Sequence, residues 1–261
     1  MSEMLVREIA SDGRATITLN RPEIHNAFDD HLIAELTEEF AMLGSRDDVR
    51  VIVLAAAGKS FSAGADLNWM KRMAGYSEQE NFADSVKLAA LMRTLNTVPK
   101  PTIAAVQGAA FGGGVGLVSC CDIAVASESA KFCLSEVRLG LIPSAISPYV
   151  VAAMGARAAR RYFLTAERFD AAEAKRIGLV HEVVASEALE LKVDEIASAI
   201  LKGGPIAVSE SKRLIADMDG VTVTDSVLED TAQRIAQRRA SEEGKEGLSA
   251  FLEKRNANWV S

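Results

Sequence analysis

The sequence predicts an α/β layered protein whose C-terminal third is almost entirely helical. Three observations carry this reading. Short apolar runs of strand length alternate with helical patterns through the first half, as expected where helices cover a sheet. Val51-Ile52-Val53-Leu54 is continuously apolar, which suits a strand covered on both faces. From about Ala185 the apolar residues recur at helical spacing, with Leu189, Val193, Ile196 and Ile200 on one face and charges opposite. The expected organisation is a core over residues 1–184 and a helical C-terminal region over residues 185–261.

The elements follow in order. Val6 to Ile9 and Ala15 to Leu19 alternate apolar and polar residues around Asp12-Gly13, a hairpin signature. Asp29 opens a helix running through Leu32, Leu36 and Phe40 and ending before Gly44. After the strand at Val51, a polar loop from Gly58 to Asp66 leads on to a long helix from Ser77 to Leu95. Pro99 and Pro101 bracket the start of a strand from Thr102 to Val106, and a glycine-rich run then enters a helix ending near Cys121. Asp122 to Ala126 and Lys131 to Cys133 read as two short strands. Beyond Pro143 helical spacing dominates, interrupted by a strand-like stretch from Gly178 to Val184.

Composition narrows the function. At 49% apolar and 25% charged, the 261 residues suit a globular fold rather than a disordered chain. The net charge of −7 argues against a nucleic-acid partner, which calls for a basic face. No apolar run approaches the ~20 residues that span a bilayer, and Met1-Ser2-Glu3-Met4 lacks the layout of a secretion signal. A cytoplasmic location is therefore expected. Cys120, Cys121 and Cys133 do not have disulfide or zinc spacing and are expected to be buried, inert thiols. His25, His31 and His181 are scattered, so the chemistry is expected to proceed without a metal.

Three segments carry candidate chemistry: Phe61-Ser62-Ala63-Gly64-Ala65-Asp66, the run from Phe111 to Gly116, and Ser135-Glu136-Val137. Consecutive glycines at a strand-to-helix junction suit either a helix start whose free N–H groups face a ligand or a purely structural turn. Gly112, Gly114 and Gly116 form GxGxG, which matches neither a P-loop nor a dinucleotide fingerprint. Glu136 lies between apolar clusters, a setting that raises a carboxyl pKa and suits it to proton transfer, the alternative being a solvated or salt-bridged turn residue. Two backbone donor loops and one carboxylate together make a device that stabilises an enolate.

The ordered segments Asn20-Arg21-Pro22…Asn26-Ala27, Phe61 to Asp66, Pro101 to Gly108, Gly112-Gly113-Gly114, Cys121-Asp122-Ile123 and Ser135 to Gly140 resemble the crotonase (enoyl-CoA hydratase/isomerase) superfamily. The resemblance runs from about residue 5 to the C-terminus, where Phe251-Leu252-Glu253-Lys254-Arg255 is similar to the family's usual ending. It implies a fold of repeated ββα units and a trimer or dimer of trimers built by the C-terminal helices. It implies an acyl-CoA substrate, with coenzyme A arriving on that substrate rather than as a cofactor. It places oxyanion donors on the backbone N–H groups of Ala65 and Gly113, the adenine near Ala63, and the catalytic carboxylate at Glu136. Asp66 is set either against the ligand or at a helix cap, and Lys254 and Arg255 either at the CoA phosphates or in solvent. Trp69, Met70 and Met73 would line an acyl pocket or pack in the core.

Two departures stand out. Family hydratases carry a first glutamate two residues after the glycine triplet, where this chain has Gly116. The usual glycine-rich stretch after the second glutamate is replaced by Pro143-Ser144-Ala145-Ile146-Ser147-Pro148. The pattern from Gly112 to Asp122 and from Phe132 to Arg138 resembles bacterial hydratases of 3-methylglutaconyl-CoA or carboxygeranoyl-CoA. Hydration through Glu136 is the first expectation, with Ser119, Ser144 and Ser147 as candidate water holders. A Δ3,Δ2-enoyl-CoA isomerase using one glutamate is the alternative. A non-catalytic or RNA-binding protein of the same fold is the alternative from another class.

Overall fold

The computed structural model describes residues 4–260. The hairpin forms as expected: β1 (Leu5–Ile9) pairs antiparallel with β2 (Arg14–Leu19), with Leu5 opposite Leu19. Helix α1 (Asp30–Ser45) starts where the Asp29 carboxylate accepts the Leu32 N–H, satisfying a donor that the first turn cannot. Next come β3 (Val51–Ala56), β4 (Ser60–Ser62), α2 (Leu67–Met73) and α3 (Glu78–Thr97). Ser77 and Glu80 close a reciprocal capping box at the start of α3. Then follow β5 (Thr102–Val106), β6 (Ala109–Phe111), α4 (Gly113–Cys120), β7 (Ile123–Ser127), β8 (Lys131–Cys133) and a 3-10 turn over Glu136–Leu139. The remainder is α5 (Ser147–Thr165), β9 (Phe169–Asp170), α6 (Ala171–Arg176), β10 (Glu182–Val184), α7 (Leu189–Leu201), α8 (Pro205–Met218), α9 (Asp225–Ala240) and α10 (Glu242–Leu252).

Two sheets divide the strands. The larger has the order β1-β2-β3-β5-β7-β10 and the smaller β4-β6-β8-β9. β3, β5 and β7 therefore each send a strand to the large sheet, and the strand that follows each one joins the small sheet. A helix comes after every such pair, so the chain repeats a ββα unit. Period-two alternation sorts the large sheet's side chains. Ile52, Leu54, Ala104 and Ala126 face the main core beneath α1, α3, α4 and α5. Val51, Val53, Ile103 and Val125 face the other way, onto Leu189, Val193 and Ala197 of α7. The unbroken apolar run at Val51 reflects this coverage on both faces.

Two expectations need correction. Helix α7 is part of the core, because it closes one face of the large sheet, so a division after residue 184 separates a core helix from its sheet. The helical appendage is α8 to α10, in which Ala250 is the one buried residue in those helices and Ile215, Val223, Phe251 and Leu252 are exposed in or beside them. The strands β4, β6 and β9 were not anticipated from the sequence. Among the described residues no helix is long and apolar enough to cross a membrane.

Candidate active site

The site begins with two loops held rigidly together. Asn26 is buried and its amide donates to the carbonyls of Ala57 and Ser60, both at 2.8 Å. Its own side-chain oxygen accepts the Arg21 N–H at 2.8 Å, while the Arg21 guanidinium holds Ala27 O and the Asp29 carboxylate. From the other side, the Gln107 amide donates to Ala56 O at 2.7 Å and Ser60 O at 3.2 Å. The backbone leaving β3 is therefore fastened on both flanks, by the buried Asn26 amide and the half-buried Gln107 amide.

This fastening sets the direction of one N–H. Phe28 and Ala65 form a parallel bridge in which Phe28 N donates to Gly64 O at 2.8 Å and Asp66 N donates to Phe28 O at 3.0 Å. In such a bridge the neighbours of Ala65 make the bonds, so the N–H of Ala65 points away from Phe28. Among the described residues it has no acceptor. Gly64 is required here twice over: its φ is +88°, and a Cβ would stand 3.0 Å from Phe111 O.

The opposing segment is the start of α4. Gly112 donates its N–H to Cys133 O at 2.8 Å, which leaves Gly113 as the first helical residue, with an N–H that α4 cannot use. The Phe28 ring occupies the place of a Gly113 side chain, and a Cβ on Gly114 would lie 2.7 Å from Ser62 O. The first turn of α4 thus lies directly on the backbone around Ser62 and Gly64. Two free N–H groups, at Ala65 and Gly113, sit on adjoining segments.

Glu136 completes the arrangement. It opens the 3-10 turn after β8, and its Oε1 would be 3.2 Å from a Cβ on Gly112. Its Oε2 is buried without a hydrogen-bond partner. Burial pushes the carboxyl above the usual carboxylate range, and its own backbone N–H pulls part of that back. A buried carboxylate oxygen without a donor is uncommon in folded proteins and is suited to taking a proton from a ligand. The direction of shift expected from the apolar sequence context is the one found.

The two departures noted in the sequence prove to be one structural feature. A Cβ on Gly116 would overlap the Ile146 side chain and lie 3.2 Å from Met92 Cε. Ile146 is only 2% exposed, so the space beside Gly116 is filled with hydrocarbon. One turn further on, Cys120 faces Met92 Sδ at 3.7 Å. All three cysteines are free and buried, and burial raises each thiol, Cys121 to about 12.

The other predicted residues separate into groups. Ala63 is exposed, but its N–H is committed to His25 O at 2.9 Å, which leaves its carbonyl for a ligand. Asp66 takes the capping role: its Oδ1 accepts the N–H groups of Asn68 (2.8 Å) and Trp69 (3.0 Å). Trp69 is buried in the main core with its indole N–H unpartnered, and Met73 packs against the same core. Ser119 and Ser147 donate to Val115 O and Ser144 O, and Ser144 is exposed, so the hydroxyl bonds of Ser119 and Ser147 go to the backbone rather than to Glu136. Arg255 is paired with Glu246 and Glu253. Lys254 is not brought to the site. The C-terminal segment that follows it is tied through Trp259 to Arg50 and Lys202, at the end of β3 away from Ala65. Sequence reasoning gave no role to Phe28 or Ile146, whose importance lies in what they touch across 85 and 30 residues of chain.

The comparisons agree with this architecture. Residues 10–261 match the family Enoyl-CoA hydratase/isomerase, ECH_1. The crystal structure of an enoyl-CoA hydratase from Shewanella pealeana is 46% identical with a TM-score of 0.95, covering 98% of this chain and 96% of that one. Pseudomonas aeruginosa AtuE is 34% identical with a TM-score of 0.95, covering 99% of this chain and all of that one. The crotonyl-CoA hydratase of Syntrophomonas wolfei is 36% identical over 250 residues, 95% of this chain and 94% of its own. With the ββα repeat, two open N–H groups and a buried carboxylate in place, the chain belongs to the enoyl-CoA hydratase/isomerase (crotonase) family of enzymes.

Proposed function

We propose that the chain is an enoyl-CoA hydratase that holds the thioester oxygen between the N–H groups of Ala65 and Gly113 and moves protons with Glu136. The observation that carries this reading is the unpartnered Oε2 of Glu136, buried beside the start of α4. Relatives named crotonyl-CoA hydratase and short-chain-enoyl-CoA hydratase support the reaction type. As water adds at C3, the C2–C3 electron pair moves toward C1 and charge develops on the thioester oxygen. The two N–H groups are poised to hold that charge, and preorganised donors of this kind are the largest single contribution in such reactions. Glu136 takes the proton of the attacking water and returns a proton at C2.

Coenzyme A enters as part of the substrate, and no other cofactor or metal takes part. A branched or carboxylated acyl group, as in 3-methylglutaconyl-CoA, remains the first substrate choice on the pattern around Gly112 to Asp122 and Phe132 to Arg138. Leucine breakdown is the corresponding role, and the cytoplasm the corresponding place. The exposed apolar side chains of α8 to α10 support assembly as a trimer or dimer of trimers. In that assembly Lys254 would meet the CoA of a neighbouring copy.

One observation favours a second reading, Δ3,Δ2-enoyl-CoA isomerisation. The space beside Gly116 holds Ile146 rather than a second polar group, and an isomerase needs one carboxylate. Glu136 would take a proton from C2, leaving its electron pair in the enolate. The same proton would add at C4 as the double bond settles between C2 and C3. Mass spectrometry of products from crotonyl-CoA, 3-methylglutaconyl-CoA and a Δ3-enoyl-CoA separates the two. A gain of one water identifies hydration and a bond shift without mass change identifies isomerisation. No change in any of the three would overturn both.

A further inference from the structure

Gly112 and Gly116 lie one turn apart, joined by the bond from Gly116 N to Gly112 O at 3.3 Å. The Glu136 carboxylate abuts the first and the Ile146 side chain the second. Ile146 is fixed in place: its carbonyl accepts the N–H groups of Tyr149 and Val150 at the start of α5, and Pro148 follows in the first turn. The carboxylate and the isoleucine are thus consecutive features along one flank of α4. We infer that Ile146 is the residue that sets the partition between water addition and double-bond shift, by keeping that flank of the acyl site apolar, so that the water of the proposed hydration is held from the Glu136 side alone. This rests on the proposed acyl-CoA reading and identifies the residue that tunes it.

The physical basis is the fate of one enolate. A dienolate formed by loss of a proton from C2 of a Δ3-enoyl-CoA is protonated at C4 by Glu136 and becomes the 2-enoyl ester. Water then adds at C3 only if a molecule of water is held against that carbon. Water needs two to four polar partners to be held in a buried place. Ile146, Met92 and the glycine backbone of α4 present few of them on this flank. Cys133 on β8 senses the Glu136 charge together with the Arg138 and Arg168 guanidinium groups, and burial keeps its thiol neutral at pH 7.

Valine and threonine have the same shape and differ by one hydroxyl, so Ile146→Val and Ile146→Thr separate volume from polarity. The reading is the early ratio of 3-hydroxyacyl-CoA to 2-enoyl-CoA formed from a Δ3-enoyl-CoA, which does not depend on how much enzyme is folded. Ile146→Val is expected to keep the wild-type ratio. Ile146→Thr is expected to raise it about tenfold, the scale of one added hydrogen bond to the water. It is also expected to move the acidic limb of the pH–rate profile downward. Equal ratios in the two variants, with wild-type enzyme active, would overturn the role of Ile146 alone. An inactive wild-type enzyme on both Δ3-enoyl-CoA and crotonyl-CoA would overturn the functional reading and this inference with it.

Discussion

Gly113 and Gly116 are three residues apart on α4, and neither has room for a side chain, but the two positions are constrained from opposite sides of the chemistry. At Gly113 the Phe28 ring fills the side-chain space so that the backbone N–H stays open. At Gly116 the Ile146 side chain fills it, and the nearest atoms are hydrocarbon from Ile146 and Met92. The first glycine makes the helix start a donor, and the second makes the next turn an apolar wall. One short helix thereby presents a polar and a dry surface within a single turn, and Glu136 stands at the boundary between them.

The largest test of that boundary is removal of its carboxylate. Glu136→Gln should lower turnover by about 10²- to 10⁴-fold, the usual worth of a positioned acid–base group. Acyl-CoA binding, measured by calorimetry, should survive, because the donors at Ala65 and Gly113 are untouched; full activity would show that the proton moves elsewhere. Gly113→Val tests the polar side. Its branched side chain meets the Phe28 ring, and displacement of the N–H should cost about 10²- to 10³-fold in kcat, as for loss of one oxyanion donor. An unchanged rate would place the donor at another residue.

Glu136 also gives the comparison a pH axis. Its carboxyl is raised in the folded chain by burial. The folded state therefore holds this proton to higher pH than the unfolded state does. Stability contributed by the neutral form is complete below the ordinary value of about 4.3 and falls as pH rises through the raised one. Urea melts should show Glu136→Gln gaining stability relative to wild type at pH 7, with the gain shrinking toward pH 4. A constant difference across that range would mean that the carboxylate is not desolvated.

How much of this was legible depended on the range of the interactions. The hairpin, α1 and β5 are written in local periodicity and capping, and they form close to where the residues place them. The strands β4, β6 and β9 are two or three residues long, and each lies inside a stretch whose local pattern reads as a loop, a glycine-rich run or a helix. They exist because the second sheet pairs them across the chain. Gly116 and the segment from Pro143 to Pro148 were each visible as unusual, but Ile146 fills the gap from 30 positions away, which no local pattern expresses. Position 66 shows the same limit: a helix cap and a ligand contact both call for an aspartate, and only the bonds to Asn68 and Trp69 distinguish them.

Asp66 gives the smallest effect and separates scaffold from site. Its carboxylate caps α2 directly after Ala65, so Asp66→Ala should lose about 1 kcal/mol of stability. It should also loosen the Ala65 N–H and lower the rate modestly. Asp66→Asn is the informative partner, because asparagine caps as well as aspartate while lacking the charge. If Asp66 serves only the helix, the asparagine variant keeps wild-type melting and wild-type KM. If its charge also meets the acyl-CoA, KM changes while melting does not. The expected result is the first, because the Asn68 and Trp69 N–H groups that bond the carboxylate come from the first turn of α2 and orient the backbone on which Ala65 lies.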